Sequence, residues 1–181
     1  MPLALGGLLA AGIAFASSGG EDDVTATEVS AYQKELFPLA EEWGRIEIQG
    51  MRAAIGDLSD GDAEGVPAVT IAGEARAWQA SLIDLRKRIA ALTPPEPLVP
   101  AERLFDRAIV RYIDAAIEFE KAADGPETQR QVGIERGIEA ALDGARLYNE
   151  ASMVLQRVRK SVGLPETPDF PNRPAGDQVV Q

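Results

Sequence analysis

The chain has 181 residues, of which 45% are hydrophobic, as is typical of one soluble globular domain. Its 29 acidic and 18 basic residues give a formal net charge of -11, which disfavours binding to nucleic acid. The sequence contains no cysteine and no histidine. This composition excludes disulfides, thiol catalysis, Ser-His-Asp triads and histidine-ligated metals, and we expect no cofactor.

The first predicted element is an apolar N-terminal segment, residues 1–20. Residues 3–16 are apolar or glycine and end in Ala14-Phe15-Ala16, which is typical of a signal peptide with its cleavage site. About 16 helical residues reach only about 24 Å, less than the roughly 30 Å hydrocarbon core. No Lys or Arg precedes the segment. A retained membrane anchor, or an ordinary buried or disordered segment, therefore stays as an alternative. Export predicts a periplasmic, extracellular or externally anchored location.

Four amphipathic helices, A to D, are predicted between residues 21 and 163, because apolar residues recur there in alternating steps of three and four. The seam of helix C is widened by further apolar residues, so we expect this helix to be the most central. The seams comprise Val29, Tyr32, Leu36, Leu39, Trp43, Ile46, Gly50 and Ala53 in A, Ile71, Ala75, Trp78, Leu82, Leu85, Ile89 and Leu92 in B, Phe105, Ala108, Tyr112, Ala115, Phe119 and Ala122 in C, and Ile134, Ile138, Ala141, Ala145, Tyr148, Ser152 and Leu155 in D.

Local signals mark where these helices begin and end. Thr25 followed by Glu28 predicts a capping box at the start of helix A, and Pro38 predicts a kink or a second start within it. Helix B stops at Pro94-Pro95, and helix D follows Gly125-Pro126. We expect the proline-rich tail, 164–181, to be extended or disordered.

Short connections, around 59–67, 93–97 and 124–125, predict antiparallel neighbours. The expected fold is therefore all-α, an up-down-up-down four-helix bundle over residues 21–163. Helix D, about 36 residues or about 54 Å long, exceeds the roughly 37 Å of helix B. We therefore expect its end to project beyond the body as a contact surface.

An apolar segment followed by a bundle with proline-pair punctuation, as in Ala91-Leu92-Thr93-Pro94-Pro95, loosely resembles small exported bacterial helical proteins and lipoproteins of unassigned function. The resemblance covers the layout only and implies no catalytic motif. It departs from lipoproteins in lacking the N-terminal cysteine that would carry the lipid.

A calcium candidate lies between helices A and B. Asp60, Asp62 and Glu64 fall in a D-x-D-x-x-G pattern that matches half of an EF-hand loop. The twelfth position is Ile71, where that loop needs a bidentate Glu. The alternative is a flexible connector whose carboxylates are solvated.

Charge is predicted to be uneven along the bundle, because helices B and D end at the pole where A and C begin. We expect this basic pole to contact anionic lipid or an acidic partner subunit, although cations there can simply complement the helix dipoles. The basic residues are Arg86, Lys87, Arg88, Arg157, Arg159 and Lys160. The opposite, acidic pole holds Asp57, Asp60, Asp62, Glu64, Glu118, Glu120, Asp124 and Glu127.

Two functions follow as hypotheses. The first is a noncatalytic accessory protein, exported or membrane-tethered, that acts through bundle surfaces, for example as a subunit of a membrane complex. Catalysis is disfavoured because no pair of carboxylates falls at seam positions. The second is a binding module for a small apolar ligand between helices, where the seams narrow to Gly50, Ala108, Ala115, Ala141 and Ala145.

Overall fold

The computed structural model describes residues 24–46 and 68–165, and within these ranges the chain forms four α-helices and no strand. The helices are α1 (Ala26–Arg45), α2 (Ala68–Ala90), α3 (Val99–Asp124) and α4 (Glu127–Ser161), with one 3-10 turn at Glu96–Leu98 before α3. The predicted all-α fold is confirmed. The N-terminal segment, the calcium candidate, the A-B connection with Gly50 and Ala53, and the tail after Pro165 lie outside the described residues.

The helices alternate in direction, as ion pairs between α2 and α3 show. Arg76, early in α2, contacts Asp124 at the end of α3, with 2.5 Å between Nη2 and Oδ2. Arg86, late in α2, contacts Asp106 near the start of α3, with 2.5 Å between Nε and Oδ1. Two pairs in this order require antiparallel helices, so the predicted bundle topology holds for α2 and α3.

Small residues bring α3 and α4 together along the most extensive helix interface of the described structure. A Cβ on Gly133 would lie 2.9 Å from the Cβ of Ala122, and one on Gly144 would lie 2.8 Å from the ring of Tyr112. These glycines therefore allow a closer backbone approach than any side chain would permit. Gly133 lies beside Ala122, and the later Gly144 lies beside the earlier Tyr112, so α4 is antiparallel to α3.

The seam predicted for helix D runs along one edge of the buried face rather than its centre. Ile134 and Leu155 are buried, but Ile138, Ala141 and Ser152 are only half-buried. The seam was predicted from apolar side chains and therefore left out glycine. In the structure, glycines of α4 make the closest contacts with α3. The buried small residues of α4 are Gly133, Gly137, Ala140, Gly144, Ala145 and Ala151.

Helix α1 begins at the predicted capping box. The Thr25 backbone N–H donates to Oε2 of Glu28 at 2.8 Å, and the Glu28 N–H donates to Oγ1 of Thr25 at 3.3 Å. The Thr25 backbone and then its hydroxyl hold the pKa of Glu28 below its ordinary value. Pro38 lies inside a single helix, so the second start does not occur.

Helix α1 is offset along the bundle, beside the C-terminal part of α4. Gln33 bonds Arg159, and Trp43 contacts Tyr148, so α1 runs antiparallel to α4. The last turns of α4 are therefore packed against α1, with Leu155 fully buried and Arg159 7% exposed. The prediction of a freely projecting helix end was wrong, because the offset of α1 covers the extra length of α4.

Four aromatic rings from three helices join the core. The centroid of Trp43 lies 4.9 Å from Tyr148, 5.6 Å from Tyr112 and 6.3 Å from Phe105, and all three pairs meet edge to face. Such pairs stabilise beyond the burial of their area. This aromatic cluster, Trp43, Phe105, Tyr112 and Tyr148, ties α1 to α3 and α4 at one level of the bundle.

Candidate functional site

The antiparallel helices place the six predicted basic residues at one end of the bundle, on the last turns of α2 and α4. Arg86, Lys87 and Arg88 are on α2, and Arg157, Arg159 and Lys160 are on α4. We keep the name basic pole for this end. The two triplets lie toward the same end of the bundle but at different levels, because Arg88 contacts Glu42 and Arg159 contacts Gln33, about 13 Å apart along α1.

Two arginines of α2 at the basic pole are engaged between helices. Arg86 donates Nε at 2.5 Å and Nη2 at 3.1 Å to the carboxylate of Asp106. Arg88 donates to Glu42 of α1 and lies 2.9 Å from Asp84. Hydrogen bonds to these carboxylates raise the pKa of both guanidinium groups above the ordinary value. Their charges are therefore balanced by acidic neighbours, and the predicted contact of these two partly exposed side chains with a partner stays a prediction.

Arg159 turns inward. Its Nη1 donates to Oε1 of Gln33, and its Nε and Nη2 donate to the carbonyl of Pro165 at 3.1 and 2.6 Å. The chain after α4 turns back and brings Pro165 to Arg159. Gly163 has φ +76°, and Leu164 donates its N–H to the Arg159 carbonyl at 2.9 Å. This is a Schellman turn, for which glycine has no Cβ penalty. Arg159 therefore does not present its charge at the surface, and its prediction as a surface contact was wrong.

Three cations of the basic pole remain exposed. Lys87, Arg157 and Lys160 have no acidic partner within residues 24–46 and 68–165. The Nε of Arg157 makes only a long bond, 3.4 Å, to the carbonyl of Met153. Only three of the six basic residues predicted to form the contact surface therefore carry an exposed charge without an acidic partner in the described part of the chain.

Three residues of the acidic pole, Glu118, Glu120 and Asp124, are also paired with cations. Arg76 contacts both Glu120, at 2.6 Å, and Asp124, and Lys121 contacts Glu118 at 2.6 Å. The four acidic residues between 57 and 64 lie outside the described residues. The contrast between the poles is therefore smaller, over the described helices, than the sequence alone suggests.

A surface that the sequence reasoning missed runs along α4. Leu142 is 59% exposed and Met153 is 65% exposed, and they lie eleven residues apart, about three helical turns, on one side of the helix. Arg146 lies between them and is paired with Asp143 and Glu150, at 2.7 and 2.5 Å. We call Leu142, Arg146, Met153, Arg157 and Lys160 the outer face of α4. The sequence did contain a signal for this surface, because Leu142 and Met153 are large apolar residues that lie outside the predicted seam.

The alternative site, an apolar cavity between helices, was predicted where the seams carry small residues. Ala108 and Ala115 are completely buried, and the neighbouring Gly144 lies against the ring of Tyr112 and the Ala108 carbonyl. Small residues at these positions therefore bring helices into contact, which is the packing that glycine and alanine permit.

A groove of about 460 Å³ between α3 and α4 is lined mainly by charged side chains. Arg111 in its wall donates to Asp143 at 2.9 Å and to Asp114 at 3.0 Å, so its charge is balanced. The remaining wall residues are Ile117, Glu118, Lys121, Arg136, Glu139 and Ala140. Cations and carboxylates alternate around this groove, which does not favour an apolar ligand.

Residues 24–46 and 68–165 contain no group of three or more acidic side chains placed to hold a metal ion. Over the same residues, no helix combines the length and apolar character needed to cross a membrane. Asp60, Asp62 and Glu64 lie outside this part of the chain, so the calcium prediction stays a prediction. Comparison of the chain with family models, with curated proteins and with solved structures finds no match.

Proposed function

We propose that this chain is a noncatalytic accessory protein, exported or membrane-tethered, that binds another protein through the outer face of α4. The observation that carries the proposal is the exposure of Leu142, at 59%, and Met153, at 65%, on one side of a helix whose other side is packed. Fully burying one such side chain is favourable by about 1.5–3 kcal/mol. A partner that covers both therefore gains a substantial part of its binding energy from two residues.

The charges beside these residues indicate the chemistry of the partner. Arg157 and Lys160 extend the outer face toward the basic pole and have no acidic partner within the described helices. Carboxylates opposite them would speed association and orient the complex. The apolar side chains of Leu142 and Met153 beside these cations fit an acidic protein surface with an apolar centre, such as a subunit of a membrane complex.

The shape of the surface suits a helical partner. Leu142 and Met153 are about 16 Å apart along the axis, so a partner helix of about eleven residues or more, lying along α4, spans both side chains. The helix offers 35 residues in one continuous element, about 52 Å long. A protein interface of ordinary size, about 800 Å² per partner, can be accommodated on such a length.

The test is purification of the tagged full-length protein from its native membranes with reversible cross-linking, followed by identification of the captured proteins. The double variant Leu142→Glu/Met153→Glu should lose at least tenfold of any partner recovered by wild type. Ile83→Glu is the matched control, because Ile83 is 38% exposed on α2, outside the outer face. Equal recovery of the same partner by the double variant would refute the proposed surface.

The same sample tests the proposed location. An intact mass lacking residues 1–16 would indicate cleavage after export, whereas a full-length mass in the membrane fraction would indicate a retained anchor. Recovery of the full-length protein only from the cytoplasmic fraction would contradict export. Circular dichroism of each variant checks folding, which substitutions at these exposed positions should leave unchanged.

A further inference from the structure

The side of α4 that carries the outer face has opposite charges at its two ends. Glu135 and Glu139 are exposed in the N-terminal half of the helix, and Arg157 and Lys160 are exposed in its C-terminal half. All four lie within about 60° of one another around the helix axis, since each residue adds about 100°. The two exposed apolar residues of the outer face lie between these charged pairs. A surface that is acidic at one end and basic at the other is complementary to itself when two copies run in opposite directions.

The spacing of the central residues is symmetric. Glu135 precedes Leu142 by seven residues, and Lys160 follows Met153 by seven residues. Seven residues are almost two helical turns, about 10.5 Å along the axis. An antiparallel pair of α4 helices in which Leu142 packs on Met153 of the second copy therefore also places Lys160 opposite Glu135. Two-fold symmetry makes each of these contacts occur twice.

Side chains beside the centre of such a pair also match. In a two-fold antiparallel pair, the same flank of each helix meets in the partner. Arg157 and Glu139 lie on the same flank of α4, and the pairing brings them to within about 1.5 Å of the same level along the axis. Arg146 lies near the two-fold axis and approaches its own copy, but Asp143 and Glu150 already balance its charge.

Charge disfavours a parallel pair of the same helices. In that arrangement Glu135 would face Glu135 and Lys160 would face Lys160, and like charges brought together weaken binding. Exposed ion pairs are individually weak, so they determine the direction and register of the helices. The affinity comes mainly from burial of four apolar side chains, two from each copy.

We infer, on the basis of the proposed contact surface, that the partner of the outer face of α4 is a second copy of this chain. The two copies pack antiparallel through α4, with Leu142 of each against Met153 of the other. A second copy offers what the outer face requires, an apolar centre beside exposed carboxylates. Because each copy contributes only two large apolar side chains to the contact, we expect a reversible dimer.

The experiment measures self-association of the full-length protein by sedimentation velocity over a range of concentrations. Physiological ionic strength screens repulsion between the two net negative charges beyond about 8 Å. We expect a monomer-dimer equilibrium for wild type. Lys160→Glu and Glu135→Lys each bring like charges together twice, so each should raise the dimer dissociation constant by at least about tenfold. The double variant Glu135→Lys/Lys160→Glu restores opposite charges and should return to within about threefold of wild type.

Lys87→Glu is the matched control, because it makes the same charge change at an exposed cation of α2, outside the outer face. It should leave the dissociation constant unchanged. Recovery in the double variant also excludes misfolding as the cause of weaker association in the single variants. A wild type that stays monomeric at the highest concentration overturns the self-pairing, as does a double variant that stays as weak as the single variants. Dimerisation that none of these substitutions changes belongs to another surface and also overturns it.

Failure of the self-pairing is distinguishable from failure of the contact surface. If wild type is monomeric but captures a different protein, and Leu142→Glu/Met153→Glu loses that protein, the outer face remains a contact surface and its partner is not a second copy. If wild type recovers neither a second copy nor another protein through these residues, both proposals fail.

Discussion

Replacing Trp43 with alanine should release α1 while the other three helices stay packed. The Trp43 side chain is 2% exposed and meets the rings of Tyr148, Tyr112 and Phe105 edge to face. Truncating a buried tryptophan costs about 3–5 kcal/mol, and each edge-to-face pair is worth about 0.5–1.5 kcal/mol. Because one ring makes all three contacts, we expect a loss of about 4–5 kcal/mol, which is a large share of the stability of an ordinary domain.

This loss should fall unevenly on the bundle. The close glycine contacts between α3 and α4 do not involve Trp43, and neither do the ion pairs between α2 and α3. Hydrogen exchange with mass spectrometry should therefore show protection in α1 reduced by about a thousandfold, since each 1.4 kcal/mol is tenfold. Trp78→Ala, which removes the same side chain from α2 outside the aromatic cluster, is the control and should spare α1. Unchanged protection in α1, or an equal loss in α3 and α4, would refute the reasoning.

The remaining predictions concern packing and pH. Gly137→Ala should destabilise by about 1–3 kcal/mol, because its Cβ would lie 2.5 Å from Cε1 of Phe119. Gly73→Ala, whose Cβ would meet nothing within 4 Å, should stabilise α2 by about 1 kcal/mol. Urea unfolding giving the same sign for both would contradict this account. Burial, and then the charge of Glu102, raises the pKa of Tyr32 to about 12. The unfolded chain ionises this phenol near pH 10, so unfolding is favoured as pH rises from about 10 to about 12. Tyr32→Phe should lose less stability than wild type over this range, measured by urea unfolding at successive pH values. Equal losses would show that the Tyr32 phenol does not titrate as proposed.

Helix positions and the main core residues were available from the sequence because they depend on a local period. Val29, Leu36 and Trp43 recur at helical spacing and are all buried, and Thr25 begins α1 as its capping box predicted. The broad face of helix C also held, since Ile109 is fully buried beside the seam. Such signals lie within one helix and need no knowledge of its neighbours.

The relation between helices was decided only in three dimensions. The sequence suggested that Arg86 and Arg88 are free surface cations. In the structure, the positions of α3 and α1 along α2 bring Asp106 and Glu42 within hydrogen-bonding distance of them. The same offset of α1 buries Arg159 at the end of a helix that was expected to project. Pairing between helices depends on the position of each helix along the axis of its neighbour. The hydrophobic repeat predicts which face of a helix is buried, but it does not predict this axial position.

The candidate surface shows the same division. The sequence by itself determined that Leu142 and Met153 lie off the helix seam, because their positions follow from the 3.6-residue turn. Whether another helix covers them depends on the arrangement of the whole bundle, and in the described structure they are left exposed. Close packing, ion pairing and exposure are properties of helices brought together, so the sequence determined the helices and the tertiary structure decided which of their faces remain open.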